Sequence, residues 1–263
     1  MPEGHTIHRI AQDHYKMLRG KPVAVSSPQG RFAAGAALVD GSRLLEIEAH
    51  GKHLFYRWGN GLVGHVHLGL FGKFSVHRAP PTTSSATVRM RLTVPKATID
   101  LTGPTECAIG TLDDRDRILR RLGPDPLRDD SDPQQAFAAI VRRVAPIGQL
   151  LLEQNVISGV GNVYRAEALF VTGINPRRSG RDITRGDFER LWSAIVTMLR
   201  KGVADNRIVT IDPDEFDVPA GPTRRGETTY VYHRDRCLRC GTPVGTIELG
   251  GRPCYFCPTC QAA

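Results

Sequence analysis

The spacing of apolar residues along the chain changes near its middle. Residues 6–19 place apolar side chains near helical spacing, and Gly20 and Pro22 then supply a stop signal. Strand-like apolar runs follow at 44–58, 62–68 and 88–94. They are separated by turn residues and by a loop at 79–86. This half of the chain is therefore predicted to form a helix and a mostly antiparallel β layer.

Helical periodicity takes over in the second half. Asp132 can cap a helix that has Pro133 at its first position and ends at Pro146. An apolar stretch at 147–156 and a helix at 162–171 follow. The second half is therefore predicted to begin with a small helical domain.

A last helix and a long irregular segment precede the carboxyl terminus. Thr184 can cap the helix, and Gly202 is predicted to close it. Residues 203–229 lack periodicity, which predicts a mobile loop. The predicted organisation is a domain at 1–123, a linker at 124–132, a helical domain with the loop at 133–229, and a terminal module at 230–263.

Four cysteines form two closely spaced pairs in the terminal module. They are Cys237, Cys240, Cys257 and Cys260. Two residues separate the members of each pair and sixteen separate the pairs, which is the spacing of a structural zinc site with four thiolate ligands. Disulfides are the competing interpretation, but the expected cytoplasmic location disfavours them. Cys107 and Cys254 lie outside the pattern and are assigned no role.

The charge balance favours a polyanionic partner. The 263 residues carry 35 Lys and Arg against 27 Asp and Glu, a formal charge of +8, and only six of the basic residues are lysines. No apolar run is long enough to span a bilayer, and no secretory signal opens the chain. We therefore expect a cytoplasmic protein without a membrane partner.

The amino terminus carries candidate catalytic chemistry. If Met1 is removed, Pro2 exposes a secondary amine that can form a Schiff base, and the adjacent helix dipole favours its neutral form. Glu3 is placed to move protons. Lys52 lies in an otherwise apolar run, where its ammonium either points into a cleft or reaches to solvent. The competing interpretation of Pro2 and Glu3 is a favourable helix start.

Two glycine-containing turns place polar side chains for anion binding. Residues 158–162 join two predicted helices, and Asn162 lies where the second begins. Gly250 and Gly251 predict a hairpin turn that presents Arg252 at its tip. A structural capping role for Asn162 and a solvated turn arginine are the alternatives. Eight of the nine histidines fall within 5–77, where we favour hydrogen-bonding or phosphate-contacting roles over a second metal site.

These motifs occur together in one protein family. They are Met1–Gly4, Gly51–Lys52, His67–Gly72, Leu122–Leu127, Gln154–Asn162 and the cysteine pairs. In this order they resemble the bacterial formamidopyrimidine-DNA glycosylases and endonuclease VIII, and the resemblance covers essentially the whole chain.

The resemblance implies a multidomain α+β fold. An amino-terminal β-sandwich with flanking helices, a helix-two-turn-helix domain and a zinc-finger hairpin with one Zn²⁺ would bind damaged double-stranded DNA in the cleft between the lobes. By resemblance, Pro2 attacks the sugar carbon that bears the damaged base, Glu3 supplies acid and base steps, and Lys52 assists at the sugar-phosphate. Successive β and δ eliminations would then cut the strand on both sides of the lesion.

The resemblance also implies DNA-gripping residues. Asn162 and Arg252 would hold flanking phosphates, and Leu70 with Phe71 would fill the gap left by the flipped base. We expect a monomer associated with the nucleoid when bound, and single-stranded or bubble DNA remains open as a substrate.

One departure from the formamidopyrimidine branch bears on the substrate. That branch usually opens with Pro-Glu-Leu and has a wedge loop rich in arginine, whereas this chain opens with Pro-Glu-Gly-His and reads Thr-Gly-Pro-Thr-Glu-Cys at 102–107. This resembles the endonuclease VIII branch and indicates oxidised pyrimidines as substrates. The alternatives are an oxidised-purine glycosylase and a catalytically silent protein that binds damaged DNA.

Overall fold

A computed structural model describes residues 2–78, 86–218, 221, 224 and 226–262. The chain forms two compact units: the first comprises residues 1–3 and 7–121, and the second comprises residues 4–6 and 122–263. Within the described part of the chain, no helix is both long and apolar enough to cross a membrane. The loop predicted at 79–86 falls almost entirely outside the described residues.

The first unit is a β-sandwich with flanking helices, as predicted. Its elements are α1 (Gly4–Leu18, which begins in the second unit), β1 (Ala24–Ser26), α2 (Ala33–Val39), β2 (Leu44–His50), β3 (His53–Trp58), β4 (Val63–His67), β5 (Lys73–His77), β6 (Val88–Val94), β7 (Ala97–Thr102), β8 (Glu106–Gly110) and α3 (Leu112–Leu119). The strands form two antiparallel four-stranded sheets, in the orders β1-β6-β7-β5 and β2-β3-β4-β8. One apolar core contains side chains from both sheets, α1 and α2.

The apolar run at 44–58 is a hairpin and not the single strand that was predicted. Gly51 has φ of +57° and turns the chain together with Lys52, so that β2 pairs with β3. The run looked continuous because β3 is buried on both faces: Leu54 lies in the sandwich core, and Phe55 faces a cavity lined by α3 residues such as Arg115.

The second unit contains the predicted helices and the terminal hairpin. Its elements are α4 (Pro133–Val141), α5 (Ile147–Leu150), α6 (Asn162–Val171), a short 3-10 helix (Gly180–Asp182), α7 (Arg185–Asp205), β9 (Gly245–Leu249) and β10 (Arg252–Phe256). Asp132 caps α4 by accepting from the Gln134 N–H, and Thr184 caps α7 in a reciprocal arrangement with Asp187. Both predicted helix starts are therefore confirmed.

The predicted ends of two helices are wrong. The helix that begins at Pro133 stops at Val141, before Pro146, which opens α5. Gly202 does not close α7, which continues to Asp205 and ends at Asn206 with φ of +51°. Gly202 is instead a packing glycine, because a Cβ there would lie 2.2 Å from the Tyr164 hydroxyl oxygen.

Two segments that were predicted as irregular are tied to the second unit. Residues 124–126, at the start of the predicted linker, are buried, and the Pro124 carbonyl accepts a hydrogen bond from the Ser158 N–H. Thr210 donates its N–H to the Thr228 carbonyl, which joins the two ends of the loop segment. The helices enclose one core, and a second core joins α6 to Tyr230 and the cysteine module.

Candidate functional site

The candidate nucleophile and proton carrier stand at the start of α1. Glu3 is the N-cap residue, with extended backbone angles of φ −119° and ψ −177°, and its side chain is fully buried. Pro2 is half-buried and immediately precedes it. An amine at Pro2 would lie at the positive end of the helix dipole, which favours its neutral, nucleophilic form. Met1 lies outside the described residues, so its removal stays a prediction.

Lys52 lies in the two-residue turn between β2 and β3 and is half-buried. Its positive charge is close enough to contribute to the lowered pKa of His53 and of His67, after the larger effect of burial. Lys52 is therefore held beside histidines of the same unit by the hairpin.

Three histidines on β3 and β4 form a compact group. His53 Nδ1 lies 2.9 Å from His65 Nε2, and the rings of His53 and His67 are 4.9 Å apart. Burial and the neighbouring imidazoles lower the pKa of His53 to about 3 and of His65 to about 4, so both rings are neutral at pH 7. Across the described ranges, the four terminal cysteines are the one group with metal-binding geometry, and the observed contact between His53 and His65 is a hydrogen bond.

Leu70 and Phe71 form an exposed apolar tip in the first unit. Their side chains are 52% and 84% exposed. The tip is a tight turn in which the Gly72 N–H donates to the Leu68 carbonyl at 2.9 Å. Gly103 packs against the backbone of this turn, since a Cβ on Gly103 would lie 3.2 Å from the Phe71 carbonyl oxygen. The turn therefore presents two large apolar side chains to solvent from a firmly supported backbone.

Asn162 begins α6 but does not cap it, because Gly161 is the N-cap residue. The Asn162 amide donates to the Pro253 carbonyl at 3.0 Å, and its oxygen accepts from Arg165. Its side chain therefore bonds both to the hairpin of β9 and β10 and to Arg165 of its own helix.

Arg165 joins α6 to the same hairpin. Its guanidinium is fully buried and donates to the carbonyl oxygens of Gly148, Leu249 and Pro253, at 3.0, 3.0 and 3.1 Å. Burial removes the guanidinium from water, and these hydrogen bonds to carbonyl oxygens offset the lost hydration. The hairpin turns at Gly250 and Gly251, as predicted, with φ of +62° and +68°. Arg252 is half-buried and pairs with Leu249 as the first residue of β10, directly after the turn and not at its tip.

The four terminal cysteines converge as predicted. Their sulfurs all lie within 4.8 Å of one another, with 4.0 Å between Cys237 and Cys260 and 3.4 Å between Cys240 and Cys257. Sulfurs 2.3 Å from a tetrahedral zinc ion would be about 3.8 Å apart, so the cluster fits one structural Zn²⁺. Cys237 and Cys257 are buried in the core shared with α6, which anchors the module.

The other two cysteines are not part of this cluster. Burial raises the pKa of Cys107 to about 12 and also raises the pKa of Cys254. Both thiols are therefore protonated and unreactive at neutral pH.

Glu167 organises a backbone segment that the sequence patterns did not reveal. Its buried carboxylate accepts hydrogen bonds from the backbone N–H groups of Tyr230, Val231 and Tyr232 at 2.6 to 2.9 Å, and from the Thr210 hydroxyl at 2.5 Å. Burial raises its pKa, and the four hydrogen bonds oppose that effect. Arg165 and Glu167 are charged residues in a helix that is almost wholly buried. Charged residues within an apolar helical segment are therefore the sequence signal that could have identified both as buried, hydrogen-bonded side chains.

Three family models match consecutive parts of the chain. Residues 1–107 match the formamidopyrimidine-DNA glycosylase N-terminal domain, and residues 122–212 match the formamidopyrimidine-DNA glycosylase H2TH domain. Residues 234–263 match a zinc finger found in FPG and IleRS. The matched segments contain every predicted site residue.

Individual proteins match over the full length. Endonuclease 8 1 of Mycobacterium tuberculosis (strain ATCC 25618 / H37Rv) is 43% identical over 271 residues, covering 99% of this chain and 100% of that protein. The crystal structure of MutM (FPG) protein from Thermus thermophilus has a TM-score of 0.78 at 28% identity, covering 99% and 98%. Lactococcus lactis Fpg, solved with DNA containing an abasic site, has a TM-score of 0.81 at 19% identity, covering 99% and 100%, and is similar in fold.

Proposed function

Because the chain belongs to the family of formamidopyrimidine-DNA glycosylases and endonuclease VIII, we propose that it excises oxidised pyrimidines through a Schiff base formed by Pro2. It is a bifunctional DNA glycosylase and AP lyase of base excision repair that acts on damaged DNA. The observation that carries the proposed mechanism is the Pro2-Glu3 pair at the start of α1, with the Glu3 carboxyl group buried.

The proposed reaction begins at the sugar carbon that bears the damaged base. The Pro2 nitrogen, as a neutral amine, forms a bond to C1′ while the glycosidic bond breaks, and the base leaves with a proton that Glu3 can supply. The Pro2 nitrogen then loses its proton to Glu3, the C1′–O4′ bond breaks as O4′ takes up that proton, and the opened sugar is held as an iminium ion on Pro2. Lys52 stabilises negative charge on the adjacent phosphate.

Strand cleavage follows by two eliminations. Loss of a proton from C2′ expels the 3′ phosphate, and loss of a second proton from C4′ expels the 5′ phosphate, with Glu3 shuttling protons. Hydrolysis of the remaining iminium frees Pro2. The product is a one-nucleotide gap with phosphate at both ends, and the enzyme acts as a monomer that needs one DNA duplex.

We propose that four further residues contact the DNA. Asn162 and Arg252 contact phosphates that flank the lesion, and the hydrogen bonds of Arg165 to the hairpin support that arrangement. Leu70 and Phe71 enter the space left when the base is flipped out, which their exposure on a supported turn makes feasible.

The preference for oxidised pyrimidines rests on two features. The chain opens with Pro-Glu-Gly-His, and the 103–105 turn behind the apolar tip is short and lacks arginine. The 43% identical relative from Mycobacterium tuberculosis carries the name endonuclease 8 1. Oxidised purines and silent binding of damaged DNA are the two competing outcomes.

Borohydride trapping on defined oligonucleotides tests the proposal. Zinc-loaded protein that begins at Pro2 is incubated with duplexes containing thymine glycol, oxidised guanine, an abasic site or no lesion, and a bubble substrate is run in parallel. We expect the covalent complex to form fastest with thymine glycol among the damaged bases. Faster trapping with oxidised guanine would assign the purine branch, and the absence of trapping on every substrate would favour the silent binder.

Removing the apolar tip should slow excision from duplex DNA selectively. We expect Leu70→Ala and Phe71→Ala to reduce thymine glycol excision from duplex DNA by about 10- to 100-fold, because unstacking a base costs a few kcal/mol. Trapping on a single-stranded abasic substrate should change little. Val76→Ala is the matched control, because Val76 is also an exposed apolar residue of the first unit, at 53%. Equal losses on both substrates would argue against a wedge.

Loss of one zinc ligand should weaken DNA binding. Cys257→Ser is expected to lose the zinc ion and raise the Kd for abasic-analogue DNA by about tenfold or more, because Arg252 loses its rigid support. Metal analysis and fluorescence anisotropy measure the two effects. Cys254 lies on β10 with Arg252 but outside the cysteine cluster, so Cys254→Ser should retain one zinc ion and bind DNA with the wild-type Kd. Unchanged zinc content and binding in Cys257→Ser would refute the structural role of the ion.

A further inference from the structure

The first helical residue makes a backbone contact with the turn before α6. The Gly4 N–H donates to the Gly159 carbonyl at 2.8 Å. A Cβ on Gly4 would lie 2.9 Å from the Gly159 Cα, a separation that real Cβ atoms essentially never show. Gly159 has φ of +88°, a conformation that residues with a side chain rarely adopt. Both positions therefore require glycine, at Gly4 for space and at Gly159 for backbone conformation.

The next residue is enclosed by the same unit. His5 is 5% exposed, and its ring meets the Tyr164 ring edge-on, with centroids 5.3 Å apart and an interplanar angle of 77°. Gly202 lies beside both rings, since a Cβ there would come within 2.2 Å of the Tyr164 hydroxyl oxygen and 3.0 Å of His5 Cγ. Two glycines, Gly159 and Gly202, and the Tyr164 ring therefore pack closely around residues 4 and 5, and residues 4–6 belong to the second unit.

This attachment lies two residues from the proposed nucleophile. Glu3 is buried and extended, and Pro2 has its φ restricted by its own ring, so little freedom remains between Gly4 and the amine. We infer that the Gly4–Gly159 contact, supported by His5 against Tyr164, sets the position of the Pro2 amine, which makes these four residues positioning residues for Schiff-base formation. This inference rests on the proposed function.

The expected effect is large because nucleophilic attack needs close alignment. A displacement of about 1 Å at a reacting group can cost about 100-fold in rate. An added methyl group at Gly4 must move backbone against backbone, since the atoms it meets belong to the Gly159 main chain and no flexible side chain can yield. The shift would pass directly to Pro2.

Gly4→Ala tests the inference, with Gly186→Ala as its matched control. Both glycines lie in the first turn of a helix, but the nearest atom to a Cβ on Gly186 is an Arg190 side-chain nitrogen at 3.7 Å. The readout is the rate of borohydride trapping on saturating abasic DNA. The Kd for a non-reactive abasic analogue and the thermal midpoint are measured beside it, all on protein shown by intact mass to begin at Pro2.

We expect Gly4→Ala to trap about 10- to 100-fold more slowly with a nearly unchanged Kd, while Gly186→Ala behaves as wild type. The pH midpoint of trapping should stay unchanged, because the amine shifts together with the first turn of α1 and keeps its distance from the positive end of the helix. A general loss of structure would instead raise the Kd and lower the thermal midpoint along with the trapping rate. Wild-type trapping by folded Gly4→Ala would overturn the inference.

A second pair of variants applies if Gly4→Ala does not fold. His5→Phe keeps an aromatic edge against Tyr164 and should trap at close to the wild-type rate, whereas His5→Leu removes it and should trap several-fold more slowly. Equal rates for the two would overturn the contribution of His5. If the wild-type protein itself does not trap, the proposed function fails, which separates the two conclusions.

Discussion

Protein that retains Met1 should form at least about 10³-fold less trapped complex on abasic DNA than protein that begins at Pro2, because an amide nitrogen cannot attack the sugar carbon. DNA affinity should be equal in the two forms, since the residues proposed to contact phosphate, Asn162 and Arg252, are remote from position 1 in the chain. Intact mass defines each form, and gel analysis after borohydride reduction measures the complex.

Pro2→Gly and amino-terminal acetylation complete the comparison. Pro2→Gly still offers a terminal amine after Met1 removal, so it should retain more lyase activity than the acetylated or Met1-retaining forms. The acetylated form keeps the Pro2 side chain and all its packing, which makes it the matched control for loss of the amine alone. Full lyase activity in material that carries Met1 would eliminate Pro2 as the nucleophile.

Mild acid should unfold the first unit. Burial lowers the pKa of His14 to about 4, of His53 to about 3 and of His65 to about 4, from an ordinary value of 6.5. The unfolded chain therefore binds more protons than the native state below pH 6.5, so stability is complete above that pH and falls as the pH drops toward 4. Three such groups would remove about 4 kcal/mol at pH 5.5, a large part of the stability of an ordinary domain.

Tryptophan fluorescence can follow this unit alone. The chain has two tryptophans: Trp58 lies in the sandwich core, and Trp192 packs against the helical core. In a Trp192→Phe background, the urea midpoint reported by Trp58 should fall steeply between pH 7.5 and 5.5. Equal midpoints at the two pH values would contradict the prediction.

A double variant tests the contribution of one histidine. His14 Nδ1 lies 2.7 Å from the Tyr56 hydroxyl oxygen in the core, so His14→Phe combined with Tyr56→Phe removes both partners of a buried hydrogen bond. The pH dependence of unfolding should then decrease by about one third, because one of three titrating groups is gone.

Local signals were sufficient to predict much of this molecule. The starts of α4 and α7 follow from Asp132 and Thr184, whose side chains satisfy nearby backbone N–H groups. The spacing of the cysteine pairs likewise predicted a convergence of sulfurs that the structure confirms. In each case, short-range geometry along the chain determines the result, and no distant partner is needed to recognise it.

Interactions between distant segments were not predictable in the same way. Arg165 bonds to carbonyls 84 and 88 positions away, and Glu167 bonds to N–H groups 63 to 65 positions away. The sequence predicts a helix end at Gly202. Glycine is instead needed there because Tyr164 packs against it, and this tertiary contact is not visible in the sequence. Such positions depend on packing, which a single sequence does not display. The catalytic roles of Pro2, Glu3 and Lys52 remain predictions.

The Glu167 carboxylate has a consequence for how this protein can be diversified. It binds Thr210 and Tyr230, and Thr210 also bonds to the Thr228 carbonyl. The two ends of the segment 211–227 are therefore held together beside α6. Doubling the length of a loop with fixed ends costs only about 0.6 kcal/mol. Insertions within this loop should therefore be tolerated by evolution and by engineers, provided that Ile211 and Glu215 are kept, because Ile211 lies in the core shared with the zinc module and Glu215 binds Arg239.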